Sequence, residues 1–377
     1  MIQPLVALDI GSTKVACAIG LPHESSAGFE LLGSSVVAYP AVSAAWLGDV
    51  LMVSRTIEQA LEATAVTEEF HRALVAMNPP GLTSEQAVAA VTLGDEPVAV
   101  RAHDLDRAQG LALDRVLGVD REPLLAERLS FTGNGFAGVR DPRGRSATRL
   151  VGTFHVVTMP MAARQAIVQV VESAGLEVAQ LSYTLPATFA AAADEAVRHE
   201  RVLVVDAGGL TTDLGLFVEG ALLAAEPVAI GGVQLATAVA TQLRVTVEQA
   251  MAWSVEGTAC RRREVRTIIA THWETLKPAL ERLLAQQPRP NVALLSGRGA
   301  LIDGFAEWME HATGVSTAIC RPSRTARQGD LGRQLGLNAA IGLLEMATQE
   351  PRLSLSQPQR LLNRVLDRTR TILTEYF

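Results

Sequence analysis

Apolar and polar positions along this chain follow two rhythms, and one arrangement of them occurs twice. Residues 5–20, LVALDIGSTKVACAIG, run as an apolar strand, an Asp-x-Gly turn with small hydroxyl residues, and a second apolar strand. Residues 202–217, VLVVDAGGLTTDLGLF, repeat that order in the other half of the chain. Unbroken apolar runs of this length, bounded by turn residues, predict strands covered on both faces. Two equivalent hairpins predict a duplicated, two-lobed α/β body.

The rest of the pattern fills in around them. A third strand is expected at 29–37, a helix at 53–63, and a strand at 72–77 closed by Pro79, Pro80 and Gly81. Residues 83–150 have another texture, richer in charge and broken by Gly and Pro, and read as an inserted subdomain. A strand at 152–158 is expected to return to the first lobe, followed by a helix at 162–174 that stops at Gly175. In the second lobe a strand at 221–230 ends in Gly231-Gly232, and a long helical stretch that includes 264–286 is expected to follow. A strand at 291–296 runs into Gly297-Arg298-Gly299, and a last helix covers 335–346. The predicted organisation is a first lobe from 1–82 and 151–200, the insert at 83–150, and a second lobe at 201–334 with a smaller subdomain at 233–290. A final helix at 335–347 returns to the body, a polar, proline-punctuated linker spans 348–358, and a tail spans 359–377.

The tail has its own period. Leu361, Leu362, Val365, Leu366, Ile372, Leu373, Tyr376 and Phe377 fall at steps of three and four and make one helical face. Arg360, Arg364 and Arg368 stand one turn apart on the other face, with Arg370 and two acids. A basic amphipathic helix of this kind buries its apolar face in a membrane interface while Arg meets anionic headgroups. The same pattern also suits an ordinary terminal helix docked on the body.

Composition narrows the classes. Of 377 residues 48% are hydrophobic and 19% charged, which describes a folded chain, and the net charge of −7 excludes a general nucleic-acid binder. Cys17, Cys260 and Cys320 are odd in number and lie far apart with no C-x-x-C pair, so neither a zinc site nor a disulfide framework is expected, and a reducing cytoplasm fits. The N-terminus has no signal-peptide pattern, and no run of apolar residues is long enough to span a bilayer. Lys14 and Lys277 are the only lysines.

The chemistry gathers at the two turns. Glycine lets backbone approach a ligand, and successive N–H groups in such a turn make an anion-binding concavity. Asp9, Gly11, Ser12, Thr13 and Lys14 form the first candidate phosphate loop; Asp206, Gly208, Gly209, Thr211, Thr212 and Asp213 form the second. Two facing copies would clamp the phosphates of one nucleotide, with Asp9 and Asp206 as oxygen ligands for a metal ion or its water. Lys14 would reach a phosphate as a point charge, or simply face solvent on a plain hairpin. Gly231 and Gly232 suit either the nucleotide or a tight helix entry, and Gly297 and Gly299 would let a purine ring lie against backbone. No H-E-x-x-H or G-x-S-x-G spacing occurs.

The order of motifs resembles the actin and sugar-kinase superfamily and, within it, the bacterial cell-division family FtsA. The matching stretches are LDIGSTKVACAIG, GVRDPRGRSATRLVGTFHVVTMPMAARQAIVQVVESAGLEV (138–178), VLVVDAGGLTTDLGLFVEGAL, VAIGGVQLATAVATQL, LLSGRGALIDG and LGLNAAIGLLEM. The resemblance implies an actin-like (ribonuclease H-like) body with one subdomain replaced by the insert, and ATP with Mg2+ as cofactors. It also implies head-to-tail self-association and tethering of FtsZ filaments to the cytoplasmic face of the membrane at the division site through the C-terminal helix. The insert would serve self-association and later division proteins, and the region around 233–287 would carry the FtsZ contact. This chain departs from the family at Leu210, where a third loop glycine is usual, and at Thr184, where a water-orienting Glu is expected. Met251 and Ser254 replace a Glu and a Lys that approach the nucleoside, and G-R-G replaces a run of three glycines. These departures imply at most weak hydrolysis and weakened ATP binding, since threonine cannot serve as a carboxylate base. The alternatives are a PilM-type pilus-assembly adaptor, a small-molecule kinase of the same superfold, and a scaffold that has lost its ligand.

Overall fold

The computed structural model describes residues 2–24, 26–39, 46–255, 262–285, 287–322 and 330–349. The tail at 359–377, with every membrane-facing residue named above, lies outside the described residues, as do Cys260 and the linker from 350 onward.

In chain order the first lobe opens with β1 (Leu5–Ile10), β2 (Lys14–Pro22), β3 (Phe29–Ala38), α1 (Val50–Glu62) and β4 (Arg72–Met77). The insert follows as β5 (Thr83–Thr92), β6 (Val98–Ala99), α2 (Ala102–Val116), β7 (Arg121–Gly133), β8 (Phe136–Val139), β9 (Ser146–Ala147) and β10 (Arg149–Pro160). Then come α3 (Met161–Ser173), β11 (Glu177–Tyr183), α4 (Thr184–Ala192) and α5 (Glu195–Arg198). The second lobe has β12 (Arg201–Ala207), β13 (Thr212–Val218), β14 (Ala221–Val228), α6 (Gly232–Leu243), α7 (Val247–Val255), α8 (Arg263–Glu274) and α9 (Lys277–Leu284). It continues with β15 (Val292–Ser296), α10 (Phe305–Thr313), β16 (Ser316–Ile319), α11 (Leu331–Gly336) and α12 (Asn338–Thr348).

The duplication read from the two hairpins is present in the strand order. The first sheet runs β3-β2-β1-β4-β11 and the second β14-β13-β12-β15-β16. In each, the first three strands are antiparallel, and the last two lie parallel to the central strand. The registers coincide as well: Asp9 opposes Ala16 and Asp206 opposes Asp213, each one pair short of its turn. Covered on both faces, these central strands are apolar apart from Asp9, Asp206 and the exposed Arg201 at the start of β12.

α1 and α3 cover one face of the first sheet, and α4 and α12 cover the other. On the second sheet α6, α8, α9 and α10 pack one face; α4 and the base of the insert pack the opposite one. The helix α4 therefore serves both lobes. Leu185 and Phe189, one turn apart, enter the second-lobe core, while Ala187 and Ala191 enter the first-lobe core with α12. Its sequence, TLPATFAAA, is apolar all round because it has no solvent face. Phe189 stacks on Phe217 with ring centres 4.2 Å apart.

Three expectations need correction. The strand at 152–158 does not return to the first lobe. It is the middle of β10, which pairs with β5 and β7 in the insert's own sheet, ordered β5-β10-β7-β8. Strand pairing thus carries the insert to Pro160 rather than to residue 150. The long helical stretch over 264–286 is two helices, α8 and α9, because Pro278 lacks the N–H needed to continue the ladder. The last helix is likewise two, broken at Leu337, with Asn338 opening α12.

The closest helix contact lies where α12 crosses α4. A Cβ on Gly342 would stand 1.6 Å from the carbonyl oxygen of Ala187. Replacing Gly342 by Ala gains at most about 1 kcal/mol of helix propensity. Forcing the helices apart costs about 1–3 kcal/mol or more. We expect Gly342→Ala to lower the urea midpoint, with a net loss of about 2 kcal/mol; an unchanged midpoint would contradict the crossing.

Candidate functional site

The two Asp-x-Gly turns meet. Each closes in the same way: the Gly11 N–H donates to the Lys14 carbonyl at 3.0 Å, and the Gly208 N–H to the Thr211 carbonyl at 2.8 Å. They sit at the carboxyl ends of β1 and β12, the edge where open α/β sheets place their ligands. The turns touch directly. The Leu210 N–H donates to Ser12 Oγ at 3.1 Å, and a Cβ on Gly209 would fall 2.4 Å from Thr13 Cγ2. Among the described residues the N–H groups of Ser12, Thr13 and Gly209 meet no protein acceptor, which leaves three half-exposed donors where the two turns touch.

The glycines beneath the second turn have a different task. The Gly232 and Val233 N–H groups donate to the Gly208 and Gly209 carbonyls at 3.0 and 2.8 Å. The Gly231 N–H donates to Gln234 Oε1 at 3.0 Å, and Gln234 Nε2 donates to the Leu210 carbonyl at 3.2 Å. The start of α6 thus spends its N–H groups on holding the second turn. A Cβ on Gly231 would strike the Gly209 carbonyl oxygen at 2.5 Å. Thr212 is fully buried and donates to the Ile230 carbonyl at 2.7 Å, a supporting role also. Gly297 has φ +76°, a conformation open mainly to glycine, and with Gly299 it lets the G-R-G turn press on the Ala207 backbone.

Lys14 is engaged inside the protein rather than facing solvent. Its Nζ lies 2.5 Å from Asp9 Oδ2 and donates to the Gly336 carbonyl at 2.8 Å. Both side chains are nearly buried, at 13% and 11% exposure. Across the cleft the enclosed carboxyl of Asp206 has its pKa raised to about 6, by burial first and by the Asp9 charge second; Lys14 and a hydrogen bond from Ser296 oppose this. Asp213 is raised further, by burial and then by Asp206, while Tyr183 Oη donates to its Oδ1 at 3.2 Å.

Sequence reasoning missed several residues that frame the site. Asn78, one residue past β4, donates to Thr211 Oγ1 at 3.2 Å and to Asp213, bridging the lobes. Its signal was a polar residue at the mouth of an apolar strand, just before Pro79. Tyr39 Oη donates to the Gly11 carbonyl, and the Tyr39 N–H to the Thr13 carbonyl at 3.0 Å. Asn338 donates to Ser296 Oγ at 2.9 Å and the Cys320 carbonyl at 3.1 Å, tying α12 to the second lobe. Of the departing residues, Thr184 is buried at the start of α4 and Met251 packs against the second-lobe core.

The donor set fits an anion with a hard divalent cation. Unsatisfied N–H groups suit phosphate oxygens. Asp9, Asp206 and Asp213 gather with a single ammonium, and burial and mutual repulsion press Asp206 and Asp213 toward the protonated form; a cation would favour their charged forms. Among the described residues no three His, Cys, Asp or Glu side chains assemble into a metal cage.

The comparisons with known proteins follow this geometry. Residues 81–158 match the family described as the SHS2 domain inserted in FTSA. The cell division protein FtsA of Pseudomonas aeruginosa is 28% identical over 251 residues, covering 65% of this chain and 59% of that protein. FtsA of Rhizobium meliloti is 28% identical over 255 residues, covering 64% and 57%, and FtsA of Bacillus subtilis 22% over 249, covering 65% and 56%. The match thus spans about three fifths of the length of these relatives. Among solved structures the PilM-PilN type IV pilus biogenesis complex superposes with a TM-score of 0.68 at 15% identity, covering 93% of this chain and 100% of that one. MreB 5 of Spiroplasma citri bound to AMPPNP gives 0.50 at 11% identity, covering 92% and 96%. At these identities the structures speak for the fold, which is actin-like, and the insert is similar to the domain inserted in FTSA.

The buried charges give a pH prediction. The Asp206 pKa is higher folded than unfolded, so the folded protein binds the extra proton. Its charge therefore costs nothing below about 3.8 and its full penalty above about 6. Asp206→Asn should stabilise the protein by about 2 kcal/mol at pH 7.5, and the gain should shrink as pH falls towards 4. Urea unfolding at both pH values measures it; a gain that grows on acidification would refute the assignment.

Proposed function

We propose that this chain, a relative of the FtsA cell-division family with an actin-like fold, is a nucleotide-binding adaptor that links FtsZ filaments to the membrane. The observation that carries the nucleotide part is the direct contact of two equivalent turns from opposite lobes, each following the strand that carries Asp9 or Asp206. In this reading the phosphates of ATP lie on the N–H groups of these turns, and Asp9 and Asp206 hold Mg2+ through its waters. Lys14, already poised on Asp9, exchanges that carboxylate for a phosphate oxygen. Gly297 and Gly299, expected from the sequence to take the nucleoside, instead pack against Ala207 beside Asp206 and so hold the second turn. Bound magnesium would screen the phosphate charge and fix its orientation.

Hydrolysis has little support. Thr184, at the cleft end of α4, brings no carboxylate to orient water. The reading is therefore of a nucleotide that sets conformation. The insert family directs it to cell division, since the fold is shared with pilus proteins and cannot choose by itself. No described helix is long and apolar enough to cross a membrane, so attachment in this proposal falls to the amphipathic segment at 359–377, with anionic lipid as its partner. Self-association and contacts with later division proteins belong to the same proposal, as does location at the division site on the cytoplasmic face.

Two measurements test it. Magnesium–ATP should raise the thermal midpoint of the wild-type protein, because a ligand of the folded state stabilises it. Asp206→Asn should lose the magnesium-dependent part of that shift. Sedimentation with anionic vesicles should carry FtsZ down only when this protein is present. Removing 359–377 should leave both in the supernatant while the body stays folded; pelleting of the truncated protein would refute the anchor.

A further inference from the structure

The segment that carries Leu210 is gripped by the opposite lobe at nearly every step. Gly209 presses on Thr13, the Leu210 N–H bonds Ser12 Oγ, and Asn78 donates to Thr211 and Asp213. The Leu210 side chain completes this grip. Although Leu210 belongs to the second lobe, it packs against the first-lobe core that includes Ile10, Val15 and Tyr39. Its carbonyl is held from behind by Gln234, which also caps Gly231, so the loop is pinned from both sides. The Ser12 hydroxyl to which the Leu210 N–H donates belongs to the first candidate phosphate loop, so the two turns are joined through this residue.

We propose that Leu210 is a latch that closes the interlobe cleft without nucleotide, so that nucleotide must unseat it to bind. The proposal rests on the nucleotide reading only for its second half; the closed latch is a property of the free protein. Withdrawing a half-buried leucine from an apolar contact costs about as much as a tenfold change in an equilibrium constant. A ligand that needs the open form has its apparent affinity lowered by the fraction of molecules already open. The latch thereby sets an affinity ceiling and couples nucleotide binding to lobe opening. Leu210→Ala removes the apolar grip and keeps the backbone bond to Ser12. Leu210→Met conserves volume and keeps the grip.

The test is amide hydrogen exchange of the full chain with no nucleotide present, read at 11–14 and 208–213. Leu210→Ala should exchange about tenfold faster there than wild type and no faster in β4 or β15, whereas Leu210→Met should match wild type. In a parallel titration with magnesium–ADP, Leu210→Ala should bind about tenfold more tightly. Exchange in Leu210→Ala equal to wild type would overturn the latch. So would acceleration spread evenly over the whole chain, which marks general destabilisation. Should Leu210→Ala fail to fold, Ser12→Ala, which removes the polar half of the same grip, must show the local acceleration or the proposal falls. If neither protein binds magnesium–ADP, the nucleotide reading fails, and exchange in the free protein alone decides the latch.

Discussion

The molecule is organised by one close crossing, that of α4 over α12 at Ala187 and Gly342. α4 leads the chain from the first lobe into the second, and α12 brings it back against the first. With no side chain at Gly342, the two backbones approach to a distance that any Cβ would forbid. Each lobe alone would leave one face of its sheet uncovered; α4 covers a face of both, with Leu185 and Phe189 on one side and Ala187 and Ala191 on the other. The lobes are thus fixed to each other below the cleft, and only its mouth is left to open or close.

The same constraint explains the charge at the site. Joining the lobes at α4 brings the ends of β1 and β12 face to face, so Asp9 and Asp206 confront each other in a poorly solvated space. The protein copes with local devices. Lys14 neutralises Asp9, Ser296 donates to Asp206, and Tyr183 and Asn78 donate to Asp213. Even so, burial and mutual repulsion keep Asp206 and Asp213 above the usual carboxylate range. Perturbed carboxyls gathered at the ends of two strands are the feature on which the nucleotide proposal rests. Leu210 stands in the way as an apolar contact across the same gap, so opening the mouth exchanges a hydrophobic contact for an ionic one.

The insert is a third unit joined to the two lobes. Its sheet stands apart from both lobe sheets, yet it is bound to the second lobe through a shared apolar core and through Gln86 and Arg140, which donate to the carbonyls of Leu223 and Glu219. Arg121 fastens its base with bonds to Gly81, Thr83 and Thr158. The insert therefore moves with the body. A surface added there reports the state of the lobes instead of floating on a flexible stalk.

Much of this was legible in the chain because it depends on local chemistry. The alternation and turn residues of 5–20 and 202–217 specify two hairpins, and their identity of pattern specifies a duplication; the strand orders and registers agree. The turn residues Asp9, Gly11, Asp206 and Gly208 were legible for the same reason, since a turn's conformation is set by the few residues within it. What depends on contacts between distant segments was not legible. The strand at 152–158 carries no mark of which sheet it joins, because a buried strand looks alike in any sheet. Asn78, Tyr39 and Asn338 look like ordinary polar residues until folding sets them against the cleft. Gly231 and Gly232 suited either the nucleotide or a tight helix entry, and Thr212 was placed in the second loop; folding engages their bonds at the start of α6 and beneath the second turn. Leu210 was legible only as a bulky residue in a glycine-rich loop. That it packs into the other lobe was decided by the distance between two turns, which only the α4–α12 crossing fixes.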